Sequence, residues 1–229
     1  MADERTGPDV VALPWQLWLL VGVMAVVELA LSSADRGWLG SPDWRTIAFL
    51  HGAFFRQLLV EPVRPLFEEQ PLTMFVSHAF LHGGIVHLAL NATALLAIGK
   101  FIAERIGPWP MLALFLISAI AGGLGFFLLS SARGPMVGAS GAVFGFIGLW
   151  LFLDSRARRV LGRPMKPVWS TILGLVAANV VLALLFSGAL AWEAHLGGFL
   201  AGVALGPASA VLIRRRRRRS AVERFWPPP

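Results

Sequence analysis

Cysteine is absent from the 229 residues, and so is tyrosine. The first absence excludes a disulfide framework, a thiolate nucleophile and any cysteine-ligated metal centre. Charge is also scarce: 14% of residues are charged against 56% hydrophobic. A soluble domain of ordinary composition is about 25% charged, so a free-standing aqueous fold is excluded. No internal repeat and no polar, domain-length segment is visible. Neither a basic leader nor a small-residue cleavage site marks the first apolar block, which reads as a retained span.

What is present is apolar sequence in long blocks. A helix needs about 20 apolar residues to cross the hydrocarbon core. Six blocks meet or approach that length: 14–31, 80–98, 111–129, 141–153, 168–186 and 194–213. The expected fold class is an all-α membrane protein, a bundle of six transmembrane helices over residues 14–213. Positive charge sets its orientation. Arg156, Arg158, Arg159, Arg163 and Lys166 follow the fourth block, Lys100 and Arg105 follow the second, and Arg214 to Arg219 follow the sixth. Six spans bring all three clusters to the cytoplasmic side, with both termini. Residues 1–13 then form a cytoplasmic segment and 214–229 a basic cytoplasmic tail, its last four residues disordered. Segment 34–72 becomes a long outer loop whose Trp38 and Trp44 suit the membrane interface. The arginine run could engage nucleic acid or acidic lipid. In so apolar a chain it reads as a topology anchor, and no nucleic-acid partner is expected.

Ionisable groups inside membrane blocks call for a functional explanation. Glu28, His78, His82, His87, Asn91, Ser140 and His195 are such polar positions. Measured from the cytoplasmic edges, His87 lies about 20 Å up, Asn91 about 14 Å, Ser140 about 21 Å and His195 about 28 Å. Three helices thus carry polar side chains in the outer half of the membrane. The fourth block is short, about 20 Å as a helix. Its outer end, with Ser140, therefore falls at the floor of a watery pit, where unpaired N–H groups can stabilise an oxyanion. The ordinary reading of such a serine is an N-cap. Gly141 and Gly145 are four apart, as are Gly198, Gly202 and Gly206, a spacing that lets membrane helices approach closely. If those ridges face each other, Ser140 and His195 meet at one end of the contact, nucleophile and general base. His87 and Asn91 share one face of the second helix. The amide donates two hydrogen bonds without ionising and suits the oxyanion role. His78 and His82 read as structural, bonded to backbone or at the interface. Their i,i+4 spacing admits a metal, but no carboxylate or cysteine stands near, so no metal is expected. Glu28 reads as paired or snorkelling, without a catalytic role.

These residues form a pattern. His78-x3-His82-x4-His87-x3-Asn91, Gly138-Ala139-Ser140-Gly141 and Ala194-His195-x2-Gly198-x3-Gly202 occur in that order in the second, fourth and sixth blocks. The chain resembles the rhomboid intramembrane serine proteases over residues 75–206. The resemblance implies a six-helix bundle, a Ser140–His195 dyad without a third acidic member, and no cofactor. It implies an oxyanion held by His87, Asn91 and the Ser140 N–H, with Gly138, Gly141, Phe144, His82, Gly198 and Gly202 in support. Its implied substrates are single-span membrane proteins cut in or near the membrane, and its implied place is the bacterial inner membrane. Two departures stand out. Relatives carry a Trp-Arg pair shortly before the histidines, where this chain reads Gln70-Pro71-Leu72-Thr73-Met74-Phe75. Relatives often have tyrosine four residues after the serine, where this chain has Phe144, which can stack on His195 but donates no hydrogen bond. Two rival functions remain: an inactive relative that binds membrane clients, and a small transporter.

Overall fold

The computed structural model describes residues 13–185 and 190–225. The expected cytoplasmic segment 1–13 lies outside them except for its final residue, as do Phe186 and the four-residue end of the tail. Ten α-helices are described: α1 (Trp15–Asp35), α2 (Trp44–Gly52), α3 (Gln57–Val60), α4 (Gln70–Ser77), α5 (Ile85–Ile106), α6 (Pro108–Leu129), α7 (Ser140–Val160), α8 (Lys166–Leu185), α9 (Trp192–Ala204) and α10 (Gly206–Phe225). The expected all-α class holds, and the protein is a multi-pass membrane protein. By length and composition α1, α5, α6 and α8 can each cross a membrane, and α9 with α10 can do so as one pair bent by 45°.

Several element boundaries differ from the sequence expectation. The fourth block was expected to end near residue 153, but α7 continues to Val160, 21 residues in all. Apolarity stops at Asp154, but helicity does not. Arg158 pairs with Asp154 one turn earlier, Nε to Oδ2 at 2.6 Å, and arginine is a good helix former. The helix ends at Gly162, φ +61°, with Arg163 N–H donating to the Arg158 carbonyl and Gly162 N–H to that of Arg159. This left-handed cap closes the final turn. The second block begins helical only at Ile85. His78–Phe80 forms a 3-10 turn and residues 81–84 are irregular, so His82 is not on the helix that carries His87 and Asn91. The sixth block bends between α9 and α10. Pro207, the second residue of α10, has no N–H to continue the ladder.

Three helices meet backbone to backbone. A Cβ on Gly198 would run into the Gly141 carbonyl, and one on Gly202 into the Gly145 carbonyl. The two glycine ridges therefore do face each other. α6 is a third member that the spacing did not announce. A Cβ on Gly125 would meet the Glu193 carbonyl, and one on Gly122 would lie 3.1 Å from that of Ala194. Without a hydrophobic drive between helices in lipid, close approach of this kind supplies dispersion and dipole contacts. Gly206, expected in the same ridge, instead faces the Phe152 ring.

The loop 34–72 is partly helical and is tied down by polar contacts. Arg45 on α2 reaches the wholly buried Glu28 of α1, Nη2 to Oε1 at 2.9 Å, and Asp35, Nε to Oδ2 at 2.7 Å. It also donates to the His82 carbonyl at 2.9 Å, and Ser32 completes the network by donating to Glu28. The Glu28 hydrogen bond raises the Arg45 pKa against the opposing effect of burial. Further along, Arg56 donates to the Phe127 carbonyl and Ser77 to that of Gly52. The stretch before the histidines lacks a Trp-Arg pair, and the loop is anchored to His82 from Arg45 instead. Glu28 is paired, as its position in an apolar helix requires.

Candidate active site

The segment that delivers Ser140 is fixed through its backbone. Met136 exchanges two backbone hydrogen bonds with Phe54, at 2.9 and 3.0 Å, and Gly138 N–H donates to the His78 carbonyl at 2.8 Å. Gly138 has φ +119°, a conformation that side chains rarely adopt. A methyl group there would also sit 2.8 Å from His87 Cε1 and Nε2, and 3.7 Å from Asn91 Nδ2. Glycine is needed both for conformation and for space. The two polar groups of α5 consequently stand against the backbone two residues before the serine.

Hydrogen-bond direction can be assigned at both. Gly83 N–H donates to His87 Nδ1 at 3.3 Å. In the neutral ring the hydrogen therefore lies on Nε2, the atom beside Gly138. Asn91 Nδ2 donates one hydrogen to the His87 carbonyl at 3.1 Å and retains a second. Alongside are the unpaired N–H groups of the first turn of α7. The cluster is rich in donors and can stabilise a developing negative charge.

Ser140 is the first residue of α7, and the N-cap is Ala139. The capping role that a serine before an apolar helix ordinarily plays thus falls to a residue with no side chain able to perform it. Ser140 is half-buried. Among the described residues its hydroxyl has no hydrogen-bond partner, His195 included. Unliganded catalytic pairs are commonly this loose.

His195 lies in the first turn of α9 and is 7% exposed. Its ring stacks on Phe144, centroids 4.3 Å apart and planes 4° from parallel. Phe144 is one turn along α7 from Ser140, on the same face. The residue before the histidine also reaches α7: a Cβ on Gly141 would lie 3.4 Å from the Ala194 carbonyl. Ser140 and His195 therefore occupy the same end of the α7–α9 contact. On its other side His195 meets α8, Nδ1 standing 2.6 Å from Asn179 Oδ1.

The remaining histidines divide. His78 is buried and donates from Nε2 to the Ala119 carbonyl at 3.3 Å, the structural role expected of it. His82 is fully buried, with its ring edge-on to His87 at 5.1 Å. Its carbonyl accepts from Arg45, and among the described residues its ring nitrogens meet no partner at good hydrogen-bond geometry. Among the described residues no three His, Cys, Asp or Glu side chains are grouped to hold a metal ion. Asn179 escaped the sequence reading. Its signal, an amide in the middle of an otherwise apolar block, is of the same kind as that of Asn91, but no polar residue stands within a turn of it to form a pattern.

Comparison with known proteins covers the same region. The family model described as the Rhomboid domain matches residues 69–211. The mitochondrial Rhomboid protein 1 of Saccharomyces cerevisiae is 35% identical over 160 residues, 66% of this chain and 46% of that protein. Rhomboid-like protease 3 of Toxoplasma gondii is 32% identical over 191 residues, 82% of this chain and 66% of the other. Rhomboid protease GlpG of Yersinia pestis is 30% identical over 131 residues, 56% of this chain and 45% of its own length. The matches thus span between about half and two-thirds of these relatives.

Proposed function

The chain belongs to the rhomboid family, and from that premise we propose that it is an intramembrane serine endopeptidase with Ser140 as nucleophile and His195 as general base. The observation that carries this reading is a convergence. His87 Nε2 and Asn91 Nδ2 approach Gly138, Ser140 opens the next helix, and His195 stacks on the ring one turn below the serine. An inactive binder of membrane clients has no use for those groups together.

In the proposed reaction Ser140 Oγ adds to the carbonyl carbon of the scissile peptide bond while its proton passes to His195 Nε2. The resulting oxyanion accepts from His87 Nε2–H, Asn91 Nδ2–H and the Ser140 backbone N–H. The imidazolium returns its proton to the leaving nitrogen, and the C–N bond breaks to give an acyl-serine. Water, deprotonated by Nε2, then attacks the ester and frees the serine. No cofactor takes part. Phe144 fixes the plane of the imidazole, and Gly141, Gly198 and Gly202 allow the two helices to approach.

Substrates are transmembrane protein segments, met within the lipid bilayer. A helical peptide bond is shielded by its hydrogen bonds, so segments with helix-breaking residues near the cut are the easier ones to open. The topology proposed is six spans over residues 14–213, with α7 as the fourth and the bent α9–α10 pair as the sixth. Both termini then face the cytoplasm, and the membrane is the bacterial inner one. Residues 34–72 form the outer interfacial loop and 214–229 the basic tail.

Replacement of Ser140 by alanine is expected to abolish cleavage of a single-span model substrate while the protein still folds and purifies normally. Undiminished cleavage would overturn the protease reading in favour of client binding by an inactive relative. Acid provides a second check. Protonated His195 has no lone pair on Nε2 and cannot act as base, so cleavage should be lost reversibly on acidification once the ring protonates.

A further inference from the structure

Helix α8 is the most lipid-exposed of the four long apolar helices. Of its most hydrophobic window 6% is buried, against 28% to 44% for α1, α5 and α6. Asn179 lies in this helix, where an amide is unfavourable unless both its ends find partners. Both do. Nδ2 donates to the Leu175 carbonyl at 2.8 Å, and Oδ1 stands 2.6 Å from His195 Nδ1. The pair of bonds fixes the amide orientation. A backbone carbonyl only accepts, so the NH2 group must face Leu175 and the oxygen must face the imidazole. That oxygen also only accepts, so Nδ1 carries the hydrogen. In the neutral ring Nε2 is then bare.

The geometry points to Asn179 as a positioning residue for the imidazole, holding His195 in the one tautomer whose lone pair is on Nε2. This rests on the dyad reading above. Stacking on Phe144 at 4.3 Å sets the ring plane but is indifferent to rotation of the ring within that plane. The amide oxygen supplies the missing restraint and selects the tautomer. A carboxylate here would do the same at the expense of a charge in an apolar helix; a neutral acceptor avoids that. The amide is delivered by a helix other than those carrying the nucleophile and the base.

The test uses the full chain in detergent or bilayer discs. Asn179→Leu removes the acceptor at nearly constant volume. Loss of one neutral hydrogen bond to the base is expected to lower kcat about tenfold, with KM for a single-span substrate unchanged. Nitrogen-15 NMR of histidine-labelled protein, with His195 assigned by its own substitution, should show hydrogen on Nδ1 in the wild type and a mixture of tautomers in Asn179→Leu. Asn179→Asp keeps an acceptor oxygen and should recover most of the lost kcat. An unaltered kcat in Asn179→Leu overturns the inference, as does a wild-type His195 bearing its hydrogen on Nε2. If Asn179→Leu does not fold, the wild-type tautomer and Asn179→Asp decide the matter. Failure of the protease reading is distinct: Ser140→Ala would keep its cleavage, whereas failure here leaves Ser140→Ala dead and Asn179→Leu fully active.

Discussion

Helix α7 faces two very different neighbours. Toward α9 it meets backbone against backbone, with the Gly141 and Gly145 carbonyls pressed onto Gly198 and Gly202. Toward α8 it meets a helix most of whose side chains point away from the protein, and in which a Cβ on Gly174 would touch nothing within 4 Å. The same residue type, glycine in an apolar helix, therefore has opposite meanings in the two neighbouring helices. At the first it is a condition of the geometry that brings serine and histidine to one end. At the second it is only a missing methyl group. The lesson is that the site is built on a rigid three-helix joint of α6, α7 and α9, while α8 joins it through a polar contact, the Asn179–His195 hydrogen bond.

Substitution at the rigid contact should give the larger effect. Gly202→Val places a branched side chain against the Gly145 carbonyl, and backbone cannot yield as a side-chain tip can. The helices must separate, for a loss of about 3 kcal/mol or more. Thermal unfolding in detergent should show a sharply lowered midpoint, and a fluorophosphonate probe should no longer label Ser140. Wild-type behaviour in both assays would mean that the ridge contact does not hold Ser140 and His195 at one end of the joint. On the other side of the comparison, Gly174→Ala adds a methyl group to open space. It should leave stability within about 1 kcal/mol of the wild type, on the stabilising side, because alanine is the better helix former. Marked destabilisation measured in the same unfolding experiment would show that α8 packs more closely than its exposure indicates.

Much of the site was legible because membrane sequence is a strict medium. A polar residue in hydrocarbon demands a reason, so His87, Asn91, Ser140 and His195 stood out against their surroundings, and glycines four apart announced the α7–α9 contact before any geometry. What escaped did so for physical reasons. Asn179 has no polar neighbour within a turn of its own helix, and its partner lies sixteen residues on in a different helix. The Arg45–Glu28 pair joins residues in α1 and α2 that neither periodicity nor charge count links. The place of α6 in the joint depends on Gly122 and Gly125, whose spacing of three does not belong to the pattern sought. The end of α7 was misplaced because hydropathy reports where lipid stops, not where the helix does.

The order of the apolar blocks, the all-helical class and the identity of the polar residues inside them were determined by the sequence alone, because exclusion of unpaired polar groups from lipid acts on each segment separately. Which of those polar groups touch was decided only in three dimensions. The Gly138 backbone against Asn91 and the acceptor at His195 each depend on different helices being pressed together, and a hydrogen bond has no energy until both its partners arrive.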